Sequence, residues 1–350
     1  MKATYKKYIL DFKKPSGTSR GVLTQKETWF LVVEDNDRYG LGECGFFKGL
    51  SVDDAAGYQQ KLEWVCANIH LGIDYLWHSL TDYPSIQFGV EQAFLSLASE
   101  NPFELFASDF TRKESSIAIN GLVWMGSESF MHEQIKQRLD DGFQCIKMKI
   151  GAIDFETELS ILKSIRRKYS KEEIELRVDA NGAFTASEAL HKLQKLSDVG
   201  LHSIEQPISP GQRAELAKLC EISPLPIALD EELIGITSVT EKKKLIQTIR
   251  PQYIILKPSL IGGVKGSSEW IDEAEKLNVG WWVTSALESN IGLNAIAQWT
   301  FTLKKTMPQG LGTGSLYTNN IDSPLVVEKG TLYYDQHKNW KTNLIKELCT

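Results

Sequence analysis

The chain has few cysteines, and none is spaced for chemistry. Cys44, Cys66, Cys145, Cys220 and Cys349 are odd in number and scattered, with no Cys-x-x-Cys pair, which argues against a disulfide framework, a zinc knuckle or a dithiol redox centre. Histidines are scarce too, and His132, His191 and His202 fall at no ligand spacing. No apolar run reaches the roughly 20 residues of a membrane-spanning helix, and the stretch from Met1 to Lys7 lacks the apolar core of a secretory signal. These absences point to free thiols, a cytoplasmic location and no membrane partner. There is no basic tract either. The formal net charge is −6, and Lys242-Lys243-Lys244 reads as a solvated helix face, so nucleic acid is not an expected partner. Low-complexity segments and short sequence repeats are also missing.

What is present is a 350-residue chain with 42% hydrophobic residues, enough to bury a large core in one large or two moderate domains. Its middle carries five apolar runs that each end in charge: Cys145-Ile146-Lys147-Met148-Lys149, Leu176-Arg177-Val178-Asp179, Ser203-Ile204-Glu205, Ile227-Ala228-Leu229-Asp230 and Ile254-Ile255-Leu256-Lys257. Each reads as a buried strand. Successive charged ends lie roughly 25 to 30 residues apart, the length of a strand, a turn and a returning helix in a parallel arrangement. In a closed parallel barrel the carboxy-terminal strand ends share one mouth, so residues distant in sequence meet there. Period-two alternation puts Lys147 and Lys149 on one face and Ile146, Met148 and Ile150 on the other.

Three carboxylates at neighbouring strand ends, Asp179, Glu205 and Asp230, supply hard oxygen ligands suited to Mg2+. Lysines beside them are candidate proton carriers. A single Lys–Asp pair would read better as a structural ion pair, but five charged ends at one repeated spacing read better as a site.

In this order and spacing, Lys-x-Lys, Asp, Glu, Asp and Lys resemble the enolase superfamily, within its muconate-lactonizing branch. The stretches Ala286-Leu287-Glu288-Ser289-Asn290-Ile291-Gly292 and Gly310-Leu311-Gly312-Thr313-Gly314 look most like the o-succinylbenzoate synthases of menaquinone biosynthesis within that branch. The resemblance covers nearly the whole chain. It implies a modified TIM barrel, (β/α)7β, over residues 113–314, with an α+β capping domain built from residues 1–112 and a returning segment, 315–350. It also implies Mg2+, which Mn2+ may replace, on Asp179, Glu205 and Asp230, and a small carboxylate as substrate. Lys149 would be the base, Lys147 the positive neighbour that favours its free amine, and Lys257 a stabilising cation across the barrel. The implied reaction is a syn dehydration to an aromatic product. Where many relatives have Asp-Glu-Ser, this chain has Asp230-Glu231-Glu232.

Substrate contacts are expected from the turn Ser285, Glu288, Ser289 and Asn290, whose helix-terminal N–H groups suit a carboxylate. Arg177 reads equally as a structural pair or a substrate contact, and Asn181 and Glu231 as groups that orient the ligands. Lys14 to Gly21, including Arg20, reads as a mobile loop that by resemblance closes over the site. Phe46 and Phe47 read equally as pocket lining or interdomain packing. Ser51 reads as a helix cap ahead of Asp53 and Asp54, with helices continuing to about residue 110. Three rival activities keep the same machinery or none of it. Racemisation of an N-succinylamino acid uses the same two lysines, a muconate-type lactonisation shares the metal site, and a silent barrel could simply bind a ligand. Dipeptide epimerisation fits less well, because the Gly310 to Gly314 stretch offers no Asp-x-Asp.

Overall fold

The computed structural model describes residues 1–18, 21–335, 337–341 and 343–349. At the amino terminus, β1 (Lys2–Thr18), β2 (Gly21–Asp35) and β3 (Arg38–Cys44) make an antiparallel sheet in that order. Three helices follow: α1 (Tyr58–Asn68), α2 (Ile73–Ser79) and α3 (Pro84–Ala98). Helix α3 lies directly on β3. A Cβ on Gly42 would stand 1.9 Å from the carbonyl oxygen of Gly89, so only glycine allows the two backbones to approach this closely.

Three expectations for this region need correction. Within the expected Lys14 to Gly21 loop, residues 14–18 belong to β1 and Gly21 to β2, with Ser16 paired to Leu23 and Gly17 to Val22 past a register shift after Asp11, while Ser19 and Arg20 lie outside the described residues. Ser51 does not cap a helix. Its hydroxyl accepts from the Phe47 N–H at 3.1 Å, and Asp54 instead accepts from Ala56 and Gly57 in the turn before α1. Helix ends at Ala98, and residues 99–116 are turns.

The chain then alternates strand and helix: β4 (Ile117–Ala118), β5 (Gly121–Val123), α4 (Glu128–Asp140), β6 (Cys145–Lys149), α5 (Phe155–Arg166), β7 (Glu175–Asp179), α6 (Ala186–Ser197), β8 (Ser203–Glu205), α7 (Arg213–Ile222), β9 (Ile227–Leu229), α8 (Val239–Ile249), β10 (Tyr253–Leu256), α9 (Gly263–Lys276), β11 (Gly280–Val283) and α10 (Asn290–Thr302). Helix starts carry the expected chemistry. Asp154 accepts from Thr157 N–H at 3.0 Å, and Thr185 and Glu188 form a reciprocal capping box, each worth about 1 kcal/mol. Gly142 after α4 and Gly200 after α6 take φ of 77° and 71°, the left-handed conformation that ends a helix without a Cβ clash.

Strands β5 to β11 form one parallel sheet in sequential order. Ile146, Met148, Val178, Ile204, Leu229, Ile254 and Leu256 are fully buried in one core with the outer helices, each contributing roughly 1.5–3 kcal/mol of burial. Opposite them the polar side chains point inward. The segment Gln309–Gly310 bonds to both edges of the sheet: Gly310 N–H to Val283 O at 2.8 Å, and Asn120 N–H to Gln309 O at 2.9 Å. Finally, β12 (Leu325–Glu328) pairs with β13 (Thr331–Tyr334) and β13 with β4, and α11 (Leu344–Cys349) packs Leu344, Ile345 and Leu348 against Phe30, Val32 and Leu41 of the first sheet. Among the described residues no helix is long and apolar enough to cross a membrane.

Glu91 on α3 fastens the first region to α9, accepting from the N–H groups of Val264 at 2.6 Å and Lys265 at 3.1 Å. Burial pushes its carboxyl up to about 7 despite those bonds. The folded chain therefore holds the proton more tightly than the unfolded one. Its contribution is full below the ordinary value of 4.5 and is lost as pH rises through about 7. Glu91→Gln should flatten that dependence, so that between about pH 5 and pH 7 the wild type loses roughly 1–3 kcal/mol more stability than the variant. Denaturant titrations at the two pH values would show this, and equal losses would contradict it.

Candidate active site

The sheet order puts the two outer lysine positions on either side of the three carboxylate strands. Lys147 and Lys149 lie on β6, Asp179 ends β7, Glu205 ends β8, Asp230 follows β9 and Lys257 follows β10. In register, Lys149 stands opposite Asp179, and Asp179 opposite Glu205. Their side chains meet. Lys149 Nζ donates to Asp179 Oδ2 at 2.8 Å, Lys147 Nζ to Glu205 Oε2 at 2.8 Å and to Asp179 Oδ2 at 3.3 Å, and Lys257 Nζ to Asp230 Oδ2. All three carboxylates are almost completely buried.

Burial and pairing compete at this cluster: pairing prevails at Lys147, Lys257 and Asp179, whereas at Asp230 burial prevails and pushes the carboxyl well above its ordinary range in spite of Lys257. For Lys147, burial favours the free amine, but Glu205 and Asp179 outweigh it and raise its pKa. Lys257 behaves likewise, held charged by Asp230, Glu205 and Glu231. Asp179, with Lys149, Lys147 and Lys257 around it, is held well below the usual carboxylate range in spite of its burial.

Among the described residues no three His, Cys, Asp or Glu side chains already converge as metal ligands do. The ammonium groups stand among the carboxylates. The donor set still fits a hard dication, since it consists of buried carboxylate oxygens at adjacent strand ends. Glu205 Oε1 in particular is buried and accepts no hydrogen bond from the described residues, with Lys257 Nζ 3.8 Å away.

A second ring holds these side chains. Asn181, at φ 44°, accepts from Lys149 at 2.7 Å and donates to Glu231 Oε1 at 2.9 Å. Gln206, fully buried at φ 39°, accepts from the N–H groups of Asp230 and Glu232, both at 3.3 Å. Glu232 has its own work, accepting from Gly211 N–H at 2.9 Å and pairing with Arg213 at 3.5 Å. An acidic residue at this position thus ties down the loop after β8. Glu232 stood out in the sequence only as a departure from the Asp-Glu-Ser of many relatives, and Gln206 only as the polar residue after Glu205.

The expected carboxylate seat at the start of α10 is already filled. Glu43, from β3, accepts from Ser289 N–H at 2.9 Å, Gly292 N–H at 2.8 Å, the Ser289 hydroxyl at 2.5 Å and the Thr28 hydroxyl at 2.7 Å. Asn290 N–H goes to Asn320, Ile291 N–H to the Ser289 hydroxyl and Leu293 N–H to Ser289 O. The helix dipole does hold an anion, as the sequence suggested, but the anion is the protein's own.

Of the other expected contacts, Ser285 is bonded to the Thr313 hydroxyl at 2.5 Å, and Glu288 is completely buried. Arg177 is a structural pair. Its guanidinium bonds Glu175 at 2.7 Å and Pro308 O at 3.0 Å and lies 4.5 Å from the centre of the Trp282 ring. Arg20 lies outside the described residues. Phe46 packs on Tyr58 in the core of the first region, whereas Phe47 touches the barrel side. Asn290 and Lys147 border a cleft of about 920 Å³, which Asn120, Trp124, Thr284 and Gly310 also line. Asn120 and Thr284 follow apolar runs as the charged residues do, a signal that the sequence carried but that their neutral side chains concealed.

Comparison with known proteins gives three findings. The model of a family described as enolase C-terminal domain-like matches residues 131–337. The o-succinylbenzoate synthase of Desulfotalea psychrophila is 46% identical over 95% of this chain and 98% of its own length, and the crystal structure of MenC from that organism superimposes with a TM-score of 0.85 at 42% identity, covering 95% of this chain and 99% of that one. An N-succinylamino acid racemase of Thermus thermophilus is 30% identical over 79% of this chain and 75% of that protein.

Proposed function

This chain belongs to the enolase C-terminal domain-like family, and on that premise we propose that it dehydrates 2-succinyl-6-hydroxy-2,4-cyclohexadiene-1-carboxylate to o-succinylbenzoate, a step of menaquinone biosynthesis. The observation that carries the proposal is the meeting of Lys149 and Lys257 with three carboxylates from the intervening strands, in a chain 46% identical to an o-succinylbenzoate synthase over nearly its full length. Residues 113–314 form the (β/α)7β barrel, with Gln309–Gly310 as its closing strand. Residues 1–112 form the capping domain together with α11 of the returning segment, whereas β12 and β13 of that segment stay on the barrel side with β4.

A proton alpha to a carboxylate is too weakly acidic for an unaided side chain, so charge developing on the carboxylate must be stabilised. Asp179, Glu205 and Asp230 are the residues that would hold Mg2+, or Mn2+ in its place, and the bound ion would supply a Lewis acid for that charge. Lys149 takes the alpha proton and returns it to the hydroxyl leaving from the same face of the ring, so that water departs and the ring becomes aromatic. Asn181 fixes the Lys149 amine in line. Lys147 contributes a second positive charge beside Asp179 and Glu205, and Lys257 places a cation on the opposite face of the substrate.

The similarity to the Thermus thermophilus racemase favours one second reading, racemisation of N-succinylamino acids by Lys149 and Lys257 acting from opposite faces. The two are separated by assaying both substrates with one preparation. Dehydration is followed by the ultraviolet absorbance of the product, and racemisation by loss of the alpha-proton signal in deuterium oxide. We expect kcat/KM to be higher for dehydration. Efficient exchange with no dehydration would overturn the proposal.

A further inference from the structure

The turn that leaves the base strand is held by a residue outside the chemistry proposed above. Glu158, on α5, is 1% exposed. Its Oε1 accepts from the Gly151 N–H at 2.8 Å and, at the limit of a hydrogen bond, from the Ile153 N–H at 3.5 Å. Its Oε2 is buried and takes no hydrogen bond from the described residues. A buried carboxyl with one idle oxygen costs stability, so packing of α5 gives no reason for an acid here; an apolar side chain would fill the same space at less cost. The reason lies in what Oε1 holds.

Gly151 comes two residues after Lys149, at φ 99°, and a Cβ on it would stand 2.4 Å from the Cβ of Ala183. Only glycine lets the two turns touch here. Ala183 belongs to the turn after β7, where its N–H bonds Ala180 O at 2.9 Å. In the same turn Asn181 is held at φ 44° with its N–H on Asp179 Oδ1 at 3.0 Å. Asn181 Oδ1 in turn accepts from Lys149 Nζ at 2.7 Å. Between Lys149 and Gly151, the Ile150 N–H bonds Asp179 O at 2.8 Å. The loop from β6 to α5 is therefore fixed at its start by strand pairing and next by Glu158, and it is seated on the turn that carries the base's own partner. Phe155, at the start of α5, and Phe184, next to Ala183, meet edge-on at 6.0 Å and join the same two units.

We propose that Glu158 is a positioning residue for the dehydration: by holding the Gly151 N–H it seats the turn that follows Lys149 against the turn that carries Asn181, and so keeps the Lys149 amine in place. The inference rests on the reaction proposed above. A backbone N–H given to a carboxylate is held about twice as firmly as one given to a neutral acceptor. Gly151 is itself exposed, and a glycine backbone released from that bond has many other conformations open to it. Loss of the acceptor thus loosens the contact with Ala183 and, through it, the Asn181 side chain on which Lys149 rests.

The test compares the wild type with Glu158→Met, which keeps the side-chain volume and removes the acceptor, and with Glu158→Gln, which keeps an oxygen for Gly151. Glu158→Met should lower kcat for dehydration roughly 10–100-fold with KM and Mg2+ affinity little changed, as expected for displacement of a reacting group. Glu158→Gln should retain most of kcat. A residue needed only for stability would lower the melting temperature of Glu158→Met without this split between kcat and KM. Independently of turnover, hydrogen exchange at the Gly151 amide should be roughly 10–100-fold faster in Glu158→Met and close to the wild-type rate in Glu158→Gln. An unchanged kcat in Glu158→Met, an equal loss in Glu158→Gln, or unchanged exchange at Gly151 would overturn the role of Glu158. Should Glu158→Met not fold, Glu158→Asp draws the carboxylate back by one methylene: a lowered kcat at unchanged KM is expected, and an unchanged kcat refutes the role. If the wild type itself fails to dehydrate, the functional proposal falls, while the amide exchange still decides whether Glu158 holds the turn after Lys149.

Discussion

Replacing Lys149 with alanine should lower kcat by roughly two to four orders of magnitude while Mg2+ affinity and fold are retained. The variant removes the amine that reaches Asp179 at 2.8 Å and Asn181 at 2.7 Å but leaves Lys147 on the same carboxylate, so Asp179 keeps a partner. A carboxylate that stays paired does not force the strand ends apart, which separates lost chemistry from lost structure. Lys257→Ala should also be severely impaired. In deuterium oxide, Lys149→Ala should return substrate with its alpha proton unexchanged. Turnover near the wild-type rate with metal binding intact would move the base to Lys147 or to a water molecule.

The second large effect is expected at the metal site. Asp179→Asn, Glu205→Gln and Asp230→Asn should each abolish turnover. Each should also weaken Mg2+ binding by more than the roughly 10–100-fold that follows loss of a residue merely supporting a ligand. An amide keeps an oxygen donor but loses the charge that competes with water for a hard dication. Glu205→Gln is the most informative of the three. Its Oε1 takes no hydrogen bond from the described residues, so the amide disturbs few other contacts, although Lys147 loses its 2.8 Å ion pair. Breaking a buried pair costs about 3–5 kcal/mol, and calorimetry of Mg2+ binding should therefore be accompanied by a thermal melt. Mg2+ affinity unchanged in all three variants would refute the assignment. Unfolding without a change in metal affinity would instead mark a structural ion-pair network.

The strands and their charged ends were legible in the sequence because they obey a local rule. In a strand, alternation fixes which side chains face inward, and the strand–helix spacing repeats, so Lys147, Lys149, Asp179, Glu205, Asp230 and Lys257 could be assigned to one end of one sheet. The seat at α10 was legible only in part. A helix start attracts an anion wherever it lies, but which anion arrives depends on Glu43, 246 residues earlier than Ser289. Arg177 shows the same limit, since its partners Pro308 and Trp282 are brought to it by the sheet and not by neighbours in the chain. The Lys14 to Gly21 stretch failed for another reason. Gly, Ser and Pro mark a turn equally well in a loose loop and in a hairpin tip, and only the pairing of Ser16 with Leu23 distinguishes them.

The most direct measurement is turnover of 2-succinyl-6-hydroxy-2,4-cyclohexadiene-1-carboxylate by purified protein, first stripped with a chelator and then titrated with Mg2+ while the ultraviolet absorbance of o-succinylbenzoate is followed. The site described here predicts no product from the stripped protein and saturable recovery as Mg2+ is added, with Mn2+ able to replace it. Absence of product at saturating Mg2+, from protein shown to be folded and to bind the metal, would contradict it.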